Sequence, residues 1–160
     1  VGSFDAAMEK INTSGISDVL NELSIEKKIP TLGICLGMQL LTNGSEEGSL
    51  PGLGWIDSET KAFPKNHKFK IPHVGWNLAK PTVNNEMTHN LQSDSRFYFV
   101  HSFYVDVKND ENTLMKTSYG IDFDSAIFKN NIFGFQFHPE KSHKFGMQIL
   151  KNFAKINVQK

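Results

Sequence analysis

With a single cysteine in 160 residues, the chain cannot form an internal disulfide, and a reducing compartment is its natural setting. Excess charge is missing too, because 17 basic side chains face 17 acidic ones. That balance removes the basic surplus a nucleic-acid surface needs, and no stripe of interleaved aromatic and basic residues makes up for it. No apolar run approaches the roughly 18 residues of a membrane-spanning helix. No signal-peptide pattern is seen either, so no membrane is expected as a partner and the cytoplasm is the default compartment. The six histidines are scattered at His67, His73, His89, His101, His138 and His143, without the H-x-x-x-H or C-x-x-C spacing of a metal site. P-loop and dinucleotide fingerprints are lacking, and no cofactor is expected. What remains, at 39% hydrophobic and 21% charged, is the composition of one ordinary globular domain.

The lone cysteine sits in the most informative stretch, Thr31 to Leu41, TLGICLGMQLL. Gly33 and Gly37 flank Cys35 two residues away on either side, the G-x-C-x-G form of a nucleophile elbow. A strand that turns at once into a helix cramps the middle residue, and both glycines are expected to lack a Cβ so that strand and helix do not collide. The thiol is then left at a helix N-terminus, where the dipole favours thiolate, so a lowered pKa is expected. The N–H of Leu36 lies where an oxyanion would form. The bland alternative, an ordinary buried thiol, is weakened by the two glycines.

Around this stretch the pattern reads as helix, buried strand, helix. Phe4, Met8 and Ile11 recur at helical spacing in residues 4–12, and Ser17 to Lys28 repeats the signal. Thr31 to Ile34 is a short buried strand, and Leu36 to Leu41 opens the next helix. That order is the rhythm of a parallel sheet, so the expected class is α/β, a mostly parallel central sheet flanked by helices with an additional β-rich segment. Strand candidates follow at residues 55–63, 69–71, 96–107, 114–119, 125–128 and 132–137, with residues 65–68 a turn. PHVGWN, residues 72–77, reads as too irregular for a regular element, and residues 84–96 as an exposed loop. A last helix spans about 144–156.

A second chemical signal is FGFQFHPEKS, residues 133–142. A buried strand runs out into His138, Pro139 breaks it, and Glu140 follows. An imidazole at a strand end can take the thiol proton, and a carboxylate just beyond can fix its tautomer. Alone, His-Pro-Glu is a solvated turn; beside the elbow, it completes a nucleophile, base and orienter.

GICLGMQLL, PHVGWN, FYFVHSFYV and FGFQFHPEKS, in this order, resemble segments of the class I glutamine amidotransferases. The similarity is greatest to glutaminase subunits that feed a cyclase subunit of (βα)8-barrel type, which makes imidazole glycerol phosphate and AICAR in histidine biosynthesis. The resemblance implies a heterodimer, L-glutamine as substrate, and Cys35, His138 and Glu140 as catalytic residues. It implies that Gly2 and Leu36 supply oxyanion donors and that Gly2, Gln39, Glu47, His101 and Ser102 contact the substrate, with Glu46 the rival to Glu47 if the loop register differs. Trp76 and Tyr98 would face the partner at the ammonia exit, and Lys141 would pair with it.

The chain departs from the family pattern at Phe103, where a tyrosine is usual, and at its start. The family places an opening strand, a helix and further strands before the oxyanion loop, of which Val1-Gly2 are present here, so a single amidotransferase domain over 1–160 lacking its N-terminal portion is expected. Two other functions fit the same residues: a related amidotransferase supplying ammonia for an aminated surface sugar, and a non-catalytic partner-binding fragment.

Overall fold

The computed structural model describes residues 3–65 and 69–156, so Val1, Gly2, residues 66–68, His67 among them, and residues 157–160 lie outside the description. Helix α1 (Phe4–Thr13) starts where Ser3 Oγ accepts the N–H of Ala6, and it buries Phe4 and Met8. Helix α2 (Ile16–Asn21) gives way to a π turn at Glu22–Glu26, so the one helix expected over 17–28 is interrupted. The cause is tertiary: Ser24 points inward to the Thr31 hydroxyl at 2.8 Å, and the Asn131 amide donates to the Ser24 carbonyl at 2.8 Å. A carbonyl engaged from outside disturbs the regular helical ladder.

Strand β1 (Thr31–Ile34) runs through Cys35 into helix α3 (Leu36–Leu40). Downstream come β2 (Ser58–Ala62), β3 (His73–Leu78), β4 (Lys80–Pro81), β5 (Arg96–His101), β6 (Phe103–Val107), β7 (Thr113–Tyr119), β8 (Ile121–Lys129), β9 (Ile132–Phe135) and helix α4 (His143–Phe153). Among the described residues, a seven-stranded sheet follows the path β1-β9-β8-β6-β2, with β7 on the other edge of β8 and β4 on β7. Strands β3 and β5 form a separate two-stranded sheet.

The class is α/β, and the sheet is mixed rather than mostly parallel. Only β1 and β9 run parallel, from Thr31 opposite Ile132 to Ile34 opposite Phe135, and the remaining pairs are antiparallel. Short turns dictate this. Gly120 (φ 70°) joins β7 to β8 and Asn130 (φ 54°) joins β8 to β9, and strands linked by so few residues must run antiparallel.

Three strand expectations need correction. PHVGWN contains a regular strand, because six residues of β5 pair with it in register from His73–His101 to Leu78–Arg96. Gly75, at φ 126°, hides the alternation in the sequence. Residues 69–71 are not a strand; Phe69 instead stacks edge-on against Phe63 and Tyr119 at 5.8 and 5.2 Å. The aromatic run 96–107 is two strands in two sheets, broken at Ser102.

Two apolar clusters hold these layers. Phe97, Phe99, Phe123, Phe135 and Phe137 lie at the centre of the larger one, with Phe97 and Phe137 stacked at 4.1 Å, and Ile149 of α4 covers it. Met38, Leu41, Trp55, Ile56, Val105 and Ile127 seal α3 onto the sheet. Both elements that carry the chemistry of Cys35 and His138 are therefore anchored in core.

Candidate active site

Cys35 occupies a backbone conformation, φ 53° and ψ −108°, that side-chain-bearing residues rarely adopt. It is maintained from both sides: β1 feeds it, α3 begins immediately after it, and its N–H donates to the Phe135 carbonyl at 2.7 Å. A Cβ on Gly33 would stand 2.5 Å from the Gly37 carbonyl oxygen and 2.8 Å from the Met38 nitrogen, so this glycine is required by close approach. Gly37 is not required in the same way, since beyond its chain neighbours and its own helix backbone no described atom lies within 4 Å of where its Cβ would be. What the tight turn needs of Gly37 is its backbone, against which Gly33 packs.

Cys35 is buried, at 5% relative exposure. Burial pushes the thiol pKa up, against the N–H of Leu36, which favours the thiolate. The lowered pKa expected from the helix terminus is thus reversed, because desolvation outweighs one turn of helix dipole. The sulfur lies 3.9 Å from the Val100 carbonyl and accepts a 3.7 Å contact from the Gln136 amide.

His138 leaves the same end of the parallel pair as Cys35: Cys35 follows Ile34, and Gln136, Phe137 and His138 follow Phe135, its register partner. The His138 N–H donates to the Tyr98 carbonyl at 2.9 Å, and the Ser142 hydroxyl donates to the His138 carbonyl at 2.6 Å while accepting the Tyr98 N–H. Glu140 Oε1 sits 2.7 Å from His138 Nδ1. A carboxylate accepts, so Nδ1 carries a proton, and in the neutral ring Nε2 is bare. Nε2 is buried and has no hydrogen-bond partner among the described residues, which is the condition of a base awaiting a proton.

A cleft of about 370 Å³ opens over the sulfur, lined by Ser3, Cys35, Gln39, Glu47, Pro72, Val100, His101, Ser102 and Phe103. It brings together Cys35, Gln39, Glu47, His101 and Ser102; His138 and Glu140 stand at the end of β9 outside this lining, and Gly2 lies outside the described residues. Glu47 is fixed by the Phe4 N–H at 3.0 Å, and its loop is pinned by the Asp5 carboxylate, which accepts from the backbone of Ser49 and Leu50. Those backbone bonds hold the Asp5 pKa below its usual range. Glu46, the rival, turns away and accepts the Ala62 N–H at 2.7 Å. Gln39 is buried, donating to the Phe103 carbonyl at 3.4 Å and to Gln136 Oε1 at 3.1 Å.

Two of the expected partner-facing residues lie side by side. Trp76 and Tyr98 are register partners on β3 and β5, with rings 6.2 Å apart, and Trp76 is 46% exposed beside Val74 at 53%. Lys141 is exposed just after Glu140. Sequence reasoning missed Ser3, Asp5, Pro72, Val100 and His73, whose roles depend on distant pairing; Gln136 lay inside FGFQFHPEKS and could have been drawn from that motif.

Residues 11–156 match the family model of glutamine amidotransferase class-I. The chain belongs to the class I glutamine amidotransferases. A relative from Methanococcus maripaludis, imidazole glycerol phosphate synthase subunit HisH 2, is 54% identical over 97% of this amidotransferase and 77% of its own length. Another subunit HisH 2, from Pseudomonas aeruginosa, is 47% identical over 98% of this chain and 77% of its own. Among solved structures, a glutamine amidotransferase from Thermotoga maritima superposes with a TM-score of 0.59 at 19% identity, covering 91% of this amidotransferase and 56% of that chain. At that identity the likeness concerns the fold. Among the described residues of the amidotransferase, no helix is long and apolar enough to cross a membrane and no cluster of metal-ligating side chains is found.

Proposed function

We propose that this amidotransferase is the glutaminase subunit of an imidazole glycerol phosphate synthase, hydrolysing L-glutamine to glutamate and ammonia for a (βα)8-barrel cyclase. The observation that carries the reading is the strained Cys35 on the floor of a cleft, with His138 presented from the adjacent parallel strand and fixed by Glu140. Names and identities of the Methanococcus and Pseudomonas relatives support the same assignment.

The chemistry follows from the residues. Burial keeps Cys35 a thiol, so His138 Nε2 takes its proton as the sulfur attacks the glutamine side-chain amide. Negative charge developing on the carbonyl oxygen meets the Leu36 N–H at the start of α3; Gly2, the other expected donor, lies outside the described residues. Collapse of the tetrahedral intermediate breaks the C–N bond, and the imidazolium returns its proton to the departing ammonia. Water, activated by the same imidazole, then cleaves the γ-glutamyl thioester and releases glutamate. Glu47 receives the substrate's α-ammonium and the Ser102 corner its α-carboxylate, a reading supported by the presence of both in the cleft lining. Ammonia is wasted in bulk water, so a docked acceptor is needed. The apolar strip of Val74, Trp76 and Tyr98, joined to His138 through the Tyr98 carbonyl, is the face offered to it, and the exposed Lys141 pairs with the same partner.

Glutamate release by the full chain, with and without a cyclase subunit, tests the reading against Cys35→Ala. The expected result is hydrolysis that the cyclase enhances and that Cys35→Ala abolishes. Hydrolysis surviving in Cys35→Ala would sink the assignment.

A further inference from the structure

His73 has no place in the reaction just described, yet it is buried in direct contact with the cleft wall. Its Nδ1 lies 2.9 Å from Nε2 of His101, whose own Nδ1 lies 2.7 Å from the Phe103 carbonyl oxygen. On the other side, the Asn77 amide reaches His73 Nε2 at 3.3 Å and the Ser118 carbonyl at 3.0 Å. The protons in this row have one arrangement. A carbonyl only accepts, so His101 Nδ1 must carry hydrogen. A neutral His101 therefore has a bare Nε2, which requires a donor, and His73 must supply it from Nδ1. That leaves His73 Nε2 as acceptor for Asn77, whose nitrogen is identified by its bond to the Ser118 carbonyl. Both rings are neutral at pH 7, since burial pushes His73 down to about 4 and His101 down to about 3.

The Phe103 carbonyl is where this row meets a second one. Gln39 donates to it at 3.4 Å and to Gln136 Oε1 at 3.1 Å, and the Gln136 amide makes the 3.7 Å contact to the Cys35 sulfur. A continuous series of hydrogen bonds thus runs from Asn77 to the thiol, and the corner His101-Ser102-Phe103 is its middle. We infer that His73 is a positioning residue: by donating from Nδ1 to the bare Nε2 of His101 it holds that ring against the Phe103 carbonyl, and thereby sets the Ser102 corner of the glutamine cleft relative to Cys35.

This inference rests on the glutaminase reading, and it makes a discrimination that packing alone would reverse. His73 stacks on Phe99 at 4.7 Å and on Tyr119 at 3.8 Å, so if it serves only as an aromatic filler, His73→Phe is the mild variant and His73→Asn the damaging one. If it serves as the donor, the order inverts, because an Asn amide places an N–H where Nδ1–H stands and Phe has none. Assayed as the complex with the cyclase, His73→Phe is expected to raise KM for glutamine about tenfold with kcat within about threefold of wild type, the mark of lost substrate positioning. His73→Asn is expected to restore KM to within about threefold. Long-range ¹H–¹⁵N spectra of histidine-labelled wild-type chain should show both His73 and His101 protonated at Nδ1, a readout that needs neither variant nor activity. His101 protonated at Nε2, or KM disturbed by Asn and spared by Phe, would overturn the inference. Wild-type complex without glutaminase activity would overturn the functional reading and the substrate-positioning role with it, while the spectra still report on the tautomers themselves.

Discussion

Cys35 and Ser102 line the same cleft but arrive there by different means. Cys35 is delivered by a turn whose geometry is encoded within five consecutive residues, Gly33 to Gly37, and whose strain is carried by the strand and helix on either side. Ser102 is delivered by the break between two strands in two sheets, and its neighbours are aligned by His73 and Asn77, which lie more than twenty positions upstream. The nucleophile's side is therefore steric and local, and the substrate wall is polar and assembled at long range. Damage should follow the same division: contacts of backbone on backbone break the first, while protonation breaks the second.

The sharpest challenge to the elbow is Gly33→Ala. Its Cβ would meet backbone atoms at 2.5 to 2.8 Å, with no flexible side chain to yield. Overpacking of this kind costs about 3 kcal/mol or more. Urea unfolding should show that loss, and glutaminase activity should fall with it. Near-normal stability would mean that the elbow is not the rigid unit described here.

Acid tests the wall. His73 and His101 titrate near 6.5 when unfolded but only at about 4 and about 3 when folded, so between these values the unfolded chain binds more protons. Stability contributed by the neutral pair is complete above pH 6.5 and is lost progressively as pH falls toward the folded values. By pH 5.5 each histidine should cost on the order of 1 kcal/mol. Urea midpoints at pH 7 and 5.5 measure this, and His73→Asn should remove about half of the difference. A midpoint that does not move over this interval would show that the folded pair takes up protons as the unfolded chain does, so that burial does not hold it neutral.

The smallest effect should come from Gly37→Ala, which sharpens the local side of the comparison. The position is helical, its φ is not in the left-handed region, and no described atom occupies the space a Cβ would fill. Replacing glycine in a helix stabilises by about 0.5 to 1 kcal/mol. A small rise in the urea midpoint is expected, in contrast to Gly33 four residues earlier.

The sequence by itself determined the elbow, the His-Pro-Glu turn, helices α1 and α4, and the short strand β1, though not its burial, since Thr31, Leu32 and Ile34 are half-buried. Each is specified by residues near one another: the close approach at Gly33, the strand-breaking Pro139, the helical spacing of Phe4 and Met8, and that of Phe145, Ile149 and Phe153. Tertiary structure decided the rest. Residues 73–78 became a strand only because β5 paired with them, and 96–107 became two strands only because its halves met different partners. That Glu47 lines the cleft and Glu46 does not was decided by the N–H groups of Phe4 and Ala62 that hold them. The thiol's pKa went up and not down because burial, which no local pattern encodes, outweighed the helix terminus. Desolvation and strand pairing depend on what the remote chain places around a residue, and that information appears only when the chain has folded.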